Sequence, residues 1–66
     1  MYMGKVRRGG YVFVTWAGDH TPRHVHVYCN GKLVVQWDLE NAKPMKGRPS
    51  RRVLELIHEL QEEGEI

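Results

Sequence analysis

Asn30-Gly31 stands between two β-type runs, His24-Val-His-Val-Tyr28 and Lys32 to Leu39, and it constrains this chain more than any other feature. An Asn-Gly pair between such runs is a strong hairpin signal, because both residues tolerate the positive φ of a tight turn. Parity then decides what each face carries. A two-residue loop pairs Cys29 with Lys32, His26 with Val35 and His24 with Trp37, which puts the histidines on the face of Leu33, Val35 and Trp37. A three-residue loop, Cys29-Asn30-Gly31, pairs Tyr28 with Lys32 instead. Val25 and Val27 then share a face with Leu33, Val35 and Trp37, while His24, His26 and Tyr28 share the other with Lys32, Val34, Gln36 and Asp38. A slip of one residue exchanges whole faces. Only the second register leaves one coherent apolar side, so the three-residue loop is the expectation.

The other segments arrange themselves around this hairpin. Lys5, Arg7 and Arg8 form a basic lead-in that Gly9-Gly10 ends. Tyr11-Val-Phe-Val-Thr-Trp16 is β-branched and aromatic, which predicts a strand. Ala17 to Arg23 contains Gly18 and Pro22 and reads as a loop. Glu40 to Lys43 is a second turn, and Lys43 to Lys46 adds a short strand that Pro44 confines to the sheet edge. Pro49-Ser50 opens a helix with Ser50 as N-cap, and Val53, Leu56, Ile57 and Leu60 fall at i, i+3, i+4 and i+7 on one stripe. Gly64 stops it. Arg51 and Arg52 in the first turn, and Glu62 and Glu63 in the last, oppose the helix dipole.

These elements predict an α+β fold, a three- to four-stranded antiparallel β-meander with one C-terminal α-helix packed on one face. Residues 1–66 read as a single domain. A chain of 66 residues buries only about 60% of its unfolded surface, so its core is thin and a homodimer or a partner protein is a reasonable expectation. A hydrophobic fraction of 41% and a charged fraction of 27% are those of an ordinary soluble domain. No apolar run approaches the roughly 20 residues of a membrane span and no signal peptide is evident, so no membrane partner is expected. One cysteine, Cys29, cannot form an internal disulfide, which points to a reducing cytoplasm. The net charge of +2 is small, but Lys43, Lys46, Arg48, Arg51 and Arg52 form a basic run while Glu55, Glu59, Glu62, Glu63 and Glu65 gather at the C-terminus. Such segregation can present a basic face to phosphates.

The residues that carry chemistry are His20, His24 and His26, spaced H-x3-H-x-H. On a strand His24 and His26 project the same way, about 6.6 Å apart along the chain. With His20 swinging in from the loop they suit zinc or another divalent transition metal, with Asp19 or Asp38 as a further ligand or as a carboxylate that orients a ligating imidazole. A second reading needs no cofactor. Histidine titrates near neutral pH, so His24 and His26 can serve as general base and acid with Tyr28, Lys32 or Arg23 stabilising charge. A phosphodiester that carries its own 2′-hydroxyl needs only this kit for cleavage. The plainer alternative is that all three are exposed strand polars. Trp16 and Trp37 read as core, and Tyr28 is the aromatic placed to meet a ligand.

The run Asp19-His-Thr-Pro-Arg-His-Val-His26 resembles the D-H-x-P-P-H-x-H signature of a family of small bacterial proteins catalogued as a domain of unknown function. The likeness extends through the Gly31 turn and the third strand to Arg48-Pro-Ser-Arg-Arg-Val-Leu54, and covers roughly residues 10 to 63. Arg23 stands where the family has a second proline. The resemblance implies a stand-alone protein paired with another small protein, as in toxin–antitoxin modules. The expectation is a toxin–antitoxin-type protein with a histidine-dependent, RNA-directed activity, that of a metal-independent ribonuclease. Its catalytic residues are His24, His26 and Tyr28, and its nucleic-acid-binding residues are Arg23, Lys32, Arg48, Arg51 and Arg52. RNA and a small cognate protein are the partners this reading names. The alternatives are a three-histidine metal module using His20, His24 and His26, or a non-catalytic, antitoxin-like interaction module.

Overall fold

The computed structural model describes the backbone of residues 2–17 and 23–66, and the side chains of residues 4–15 and 23–66. Five strands and one helix follow in chain order: β1 (Tyr2–Arg8), β2 (Tyr11–Ala17), β3 (His24–Cys29), β4 (Lys32–Asp38), β5 (Lys43–Gly47) and α1 (Arg51–Glu62). The strands form one antiparallel sheet in the order β1-β2-β3-β4-β5. The α+β meander with its C-terminal helix is as the sequence predicts, but the sheet has five strands rather than three or four. The extra one is β1. Its basic residues are not a lead-in but an edge strand, joined to β2 by Gly9-Gly10, whose φ values of 61° and 83° make a two-residue turn between the paired Arg8 and Tyr11.

The hairpin of β3 and β4 corrects the expected loop. Cys29 pairs with Lys32, so the turn is the two-residue Asn30-Gly31, with φ of 53° and 78°. The faces are nonetheless as expected, because a β-bulge intervenes. Tyr28 pairs with Leu33 but Val27 pairs with Val35, which leaves Val34 as an extra residue on β4. Beyond the bulge Val25 lies opposite Trp37, His26 opposite Gln36 and His24 opposite Asp38. Between the turn and the bulge three residues change sides relative to expectation. Leu33 joins Tyr28 on the histidine side and is 38% exposed, Lys32 leaves that side, and Val34 packs against the core.

The core lies between the sheet and α1. Phe13, Val25, Val27 and Val35 from the sheet meet Val53, Leu56, Ile57 and Leu60 from the predicted helical stripe, and all are at most 2% exposed. Val6, Tyr11, Trp37 and Leu39 close its margins. Burying side chains of this size removes about 1.5–3 kcal/mol of unfavourable hydration each. The helix ends are satisfied as the sequence predicts. Ser50 Oγ accepts from the Val53 amide at 3.2 Å. At the C-terminus the Gly64 amide donates to Gln61 and the Glu65 amide to Leu60, with Gly64 at φ 77°. Arg8 donates to both carboxylate oxygens of Glu63, at 2.5 and 2.9 Å, and also approaches Glu59. Of the two misplaced anions of the last helical turn, Glu63 thus has a partner on β1, while Glu62 lies 3.2 Å from His58 on the helix itself.

Gly47 at the end of β5 is fixed by the bulge. A Cβ there would stand 2.4 Å from the Val34 carbonyl oxygen and 3.2 Å from Val35 Cα, and the residue sits at φ 78°. Gly31 shares that φ but faces open space. Gly31→Ala should cost about 1–2 kcal/mol, the ordinary penalty of a left-handed residue. Gly47→Ala should cost at least about 2 kcal/mol more, as backbone strain adds to it. Urea unfolding of the two variants checks the difference.

Candidate functional site

The face of the sheet away from α1 carries the candidate site. Residues on β3 alternate, so burying Val25 and Val27 in the core turns His24, His26 and Tyr28 outward, each half-buried. The His24 and His26 rings lie 5.0 Å apart between centroids and meet edge to face at 81°. Tyr28 follows at 6.4 Å from His26, its ring tilted 28° from the imidazole plane. The three form one row of rings along the middle strand of five.

The cross-strand register sets what surrounds this row. Lys5, Val14, His26, Gln36 and Lys46 are successive partners across all five strands and share the outward face. A second rank runs Arg7, Val12, Tyr28 and Leu33. A third runs His24, Asp38 and Lys43. The rings are thus flanked by half-buried Val12 and Val14 on β2, and by cations on both outer strands, with Lys5 and Arg7 on β1 and Lys43 and Lys46 on β5. None of these four cations was singled out in the expected nucleic-acid set. The available signal was Gly9-Gly10, which as a hairpin turn makes Lys5 and Arg7 same-face residues of a strand.

The expected binding residues fall elsewhere. Arg51 and Arg52 lie in the first turn of α1, beyond the core from the histidines, and both approach Glu55, at 4.0 and 3.6 Å. Lys32 is at the hairpin tip opposite Cys29. Arg48 is exposed in the link to the helix. Arg23 is exposed just before β3, where its amide donates to Glu40 Oε2 and its carbonyl accepts from the Leu39 amide. His20 and Asp19 lie outside the described residues. Among the described residues no group of three or more His, Cys, Asp or Glu is arranged to hold a metal ion. The metal reading names His20 as its third ligand, so its full set is not among the described residues.

Two groups on this face have shifted pKa values. Burial, then the charge of the adjacent His24, pushes the His26 pKa below its ordinary value, and a hydrogen bond with Gln36 works the other way. Both of the lowering effects favour the neutral imidazole, the form a general base needs. Asp38 is 2% exposed, and its carboxylate accepts from Asn41 Nδ2 at 2.8 Å, from the Asn41 amide at 3.0 Å and from the Glu40 amide at 2.9 Å. These bonds, the Asn41 side chain's first, hold its pKa below the usual carboxylate value. Asp38 is spent on closing the turn before β5, although its register partner is His24.

A family profile described as a domain of unknown function, DUF4160, matches residues 10–65. The chain belongs to that family. Its matched stretch takes in β2 to α1, and so the whole ring row, while β1 lies before it. No curated protein and no solved structure matches the chain. No helix among the described residues is long and apolar enough to cross a membrane.

The electrostatics of the ring row can be read by NMR. His26 should titrate below about 6.5, the ordinary imidazole value. His24→Gln should raise its midpoint by removing a neighbouring positive charge, and Gln36→Leu should lower it further. A midpoint unmoved by either substitution contradicts the assigned causes. Because the folded value is depressed, His26 favours folding above pH 6.5, and that contribution is lost as pH falls through the folded midpoint.

Proposed function

We propose that this protein acts on RNA through His24 and His26, as the histidine-bearing member of a toxin–antitoxin-type pair. The observation that carries the reading is the half-buried His26 ring at the centre of the sheet face away from α1, 5.0 Å from a second imidazole and between two strands that carry outward cations. His26 accepts the proton of the ribose 2′-hydroxyl, and the 2′-oxygen forms a bond to the adjacent phosphorus. The bond from phosphorus to the 5′-oxygen breaks, and that oxygen leaves with a proton from His24. The products are a 2′,3′-cyclic phosphate and a free 5′-hydroxyl, with no oxidant and no metal required. Tyr28 borders the pair and supplies a ring face for the substrate base. The cationic flanks raise the local concentration of a polyanion and stabilise charge developing at phosphorus.

The second reading, a zinc site, uses the same two rings and a third ligand such as His20. Its chemistry depends on chelatable metal, whereas the proton-transfer reading does not.

Purified protein should cleave single-stranded RNA in the presence of EDTA and leave 2′,3′-cyclic phosphate ends. DNA of the same sequence, which has no 2′-hydroxyl, should stay intact. His24→Ala and His26→Ala should each lower the rate about 10²–10⁴-fold, the usual contribution of a positioned acid or base. Induced in a bacterial host without its cognate partner, the wild-type chain should slow growth and the double variant should not. Equal growth of the two, or cleavage that persists in the double variant, overturns the proposal.

A further inference from the structure

We infer that the outer edge of β1 is a docking site for an extended acidic segment of a partner protein. The segment adds to the sheet as one more strand, with the pattern carboxylate–apolar–carboxylate. Its docking does not depend on whether the chain cleaves RNA. Among the described residues only β1 and β5 have an unpaired side, so an added strand enters beside one of them. β5 is closed to it. That strand has five residues, its Pro44 brings no amide hydrogen, its pairing shifts between Gln36 and Trp37, and it ends in Gly47 at φ 78°. β1 has seven residues, no proline, and an unbroken register from Tyr2↔Ala17 to Arg8↔Tyr11.

The phase of the hydrogen bonds decides which residues of β1 face the outer side. Gly9 and Gly10 are the central residues of a tight turn, both at positive φ. The Arg8 carbonyl therefore accepts from the Tyr11 amide, and the backbone groups of Arg8 point to β2. Backbone direction alternates along an antiparallel strand. Val6 thus also points to β2, opposite Phe13, while the N–H and C=O of Lys5 and Arg7 point away from the sheet. The same two residues carry exposed cations on the outward face. Val6 between them turns inward, half-buried against the margin of the core.

One kind of incoming strand meets all of this. Residues hydrogen-bonded to Lys5 and Arg7 lie directly opposite and on the same face, with Cβ atoms within about 5.5 Å, where a carboxylate pairs with each cation. The residue between them projects beside Val6 and extends the apolar inner face. A second copy of β1 does not fit. In the antiparallel register that uses the outer groups of both residues, Lys5 stands opposite Arg7 and Arg7 opposite Lys5. Like charges directly opposite destabilise a pair, so the cations oppose self-addition and select an acidic strand. Arg8 takes no part, since its guanidinium already holds Glu63.

The probe is a capped peptide, glutamate–valine–glutamate flanked by threonines, added to the full chain at about 1 mM, the weak end of specific binding. By NMR the amides of Val6 and Arg8 should exchange with solvent more slowly than those of Lys5 and Arg7, and the peptide should protect the latter two. N-methylation of both glutamates removes the amide hydrogens that face β1 and should weaken binding at least about tenfold. N-methylation of the valine, whose amide faces away, should change it less than about threefold. The lysine–valine–lysine analogue should bind at least about tenfold more weakly. Lys5→Gln with Arg7→Gln keeps the strand and should weaken binding about tenfold, while Arg51→Gln with Arg52→Gln on the helix should change it less than about twofold. A peptide that leaves the Lys5 and Arg7 amides unprotected, or equal binding of the two N-methylated forms, overturns the inference. So does protection of these amides that grows with protein concentration without peptide, because the occupant is then a second copy. All of these measurements read backbone pairing rather than cleavage, so their failure leaves the RNA reading standing.

Discussion

The extra residue at Val34 is the constraint on which the arrangement of this domain depends. A two-residue Asn30-Gly31 turn, extended without interruption, pairs His26 with Val35 and His24 with Trp37, and so turns both imidazoles toward the helix. Polar groups placed there would meet Phe13, Leu56 and Leu60, with nothing to accept their hydrogen bonds, at a cost of roughly 1–3 kcal/mol each. The bulge shifts the pairing by one residue and exchanges the faces. Its own carbonyl then comes so close to β5 that position 47 has no room for a side chain. Turn, bulge and glycine therefore form one device. The turn starts the hairpin, the bulge corrects its parity, and Gly47 lets the last strand close over the correction.

A second device holds the helix to the first hairpin. Leu56 lies so near Gly9 that a Cβ on that residue would stand 2.9 Å from Leu56 Cδ1. The Arg8 guanidinium grips Glu63 through two hydrogen bonds, which raises the pKa of the arginine and lowers that of the carboxylate. Read along the helix alone, Glu63 opposes the dipole; read with β1, it is the helix's end of a clamp. Exposed ion pairs of this kind contribute little to stability in general. Their effect here is directional, fixing which end of α1 lies over the Gly9-Gly10 turn.

The sequence is most legible where local chemistry and tertiary packing agree. The stripe Val53, Leu56, Ile57 and Leu60 and the Ser50 cap fix α1 because a helix period and a cap are both local. The outward direction of His24 and His26 is also legible, since it needs only that the valines of β3 go inside. The route to that direction is not. The bulge is stabilised by Gly47, far along the chain, and turn chemistry alone cannot distinguish a longer loop from a short loop followed by a bulge. β1 is obscured for a different reason. Lys5-Val6-Arg7 alternates as an edge strand should, but with one apolar residue in three it reads as a solvated charge run until its glycine turn is taken into account. That omission also hid Lys5 and Arg7 from the candidate site, and drew attention to Arg48, Arg51 and Arg52 because they are clustered in sequence. Clustering along a strand–loop–helix connection says nothing about sharing a face, whereas pairing across strands does.

The division of labour between the two faces explains why the histidines can be argued about separately from the fold. The residues that hold the sheet to the helix, Phe13, Val25, Val27 and Val35, are all on the inner side. On the outer side the strand would be as well formed by threonine or valine at positions 24 and 26, since β-branched residues suit a half-buried pleated surface at least as well as imidazole. Nothing in the packing of the core asks for a ring at either position. Two imidazoles side by side repel each other once both are protonated, and at His26 that repulsion adds to the larger effect of burial in lowering the pKa. Core and ring row thus draw on alternate residues of one strand, so a substitution at position 24 or 26 changes the outer face while the side chains that hold the sheet to the helix stay in place.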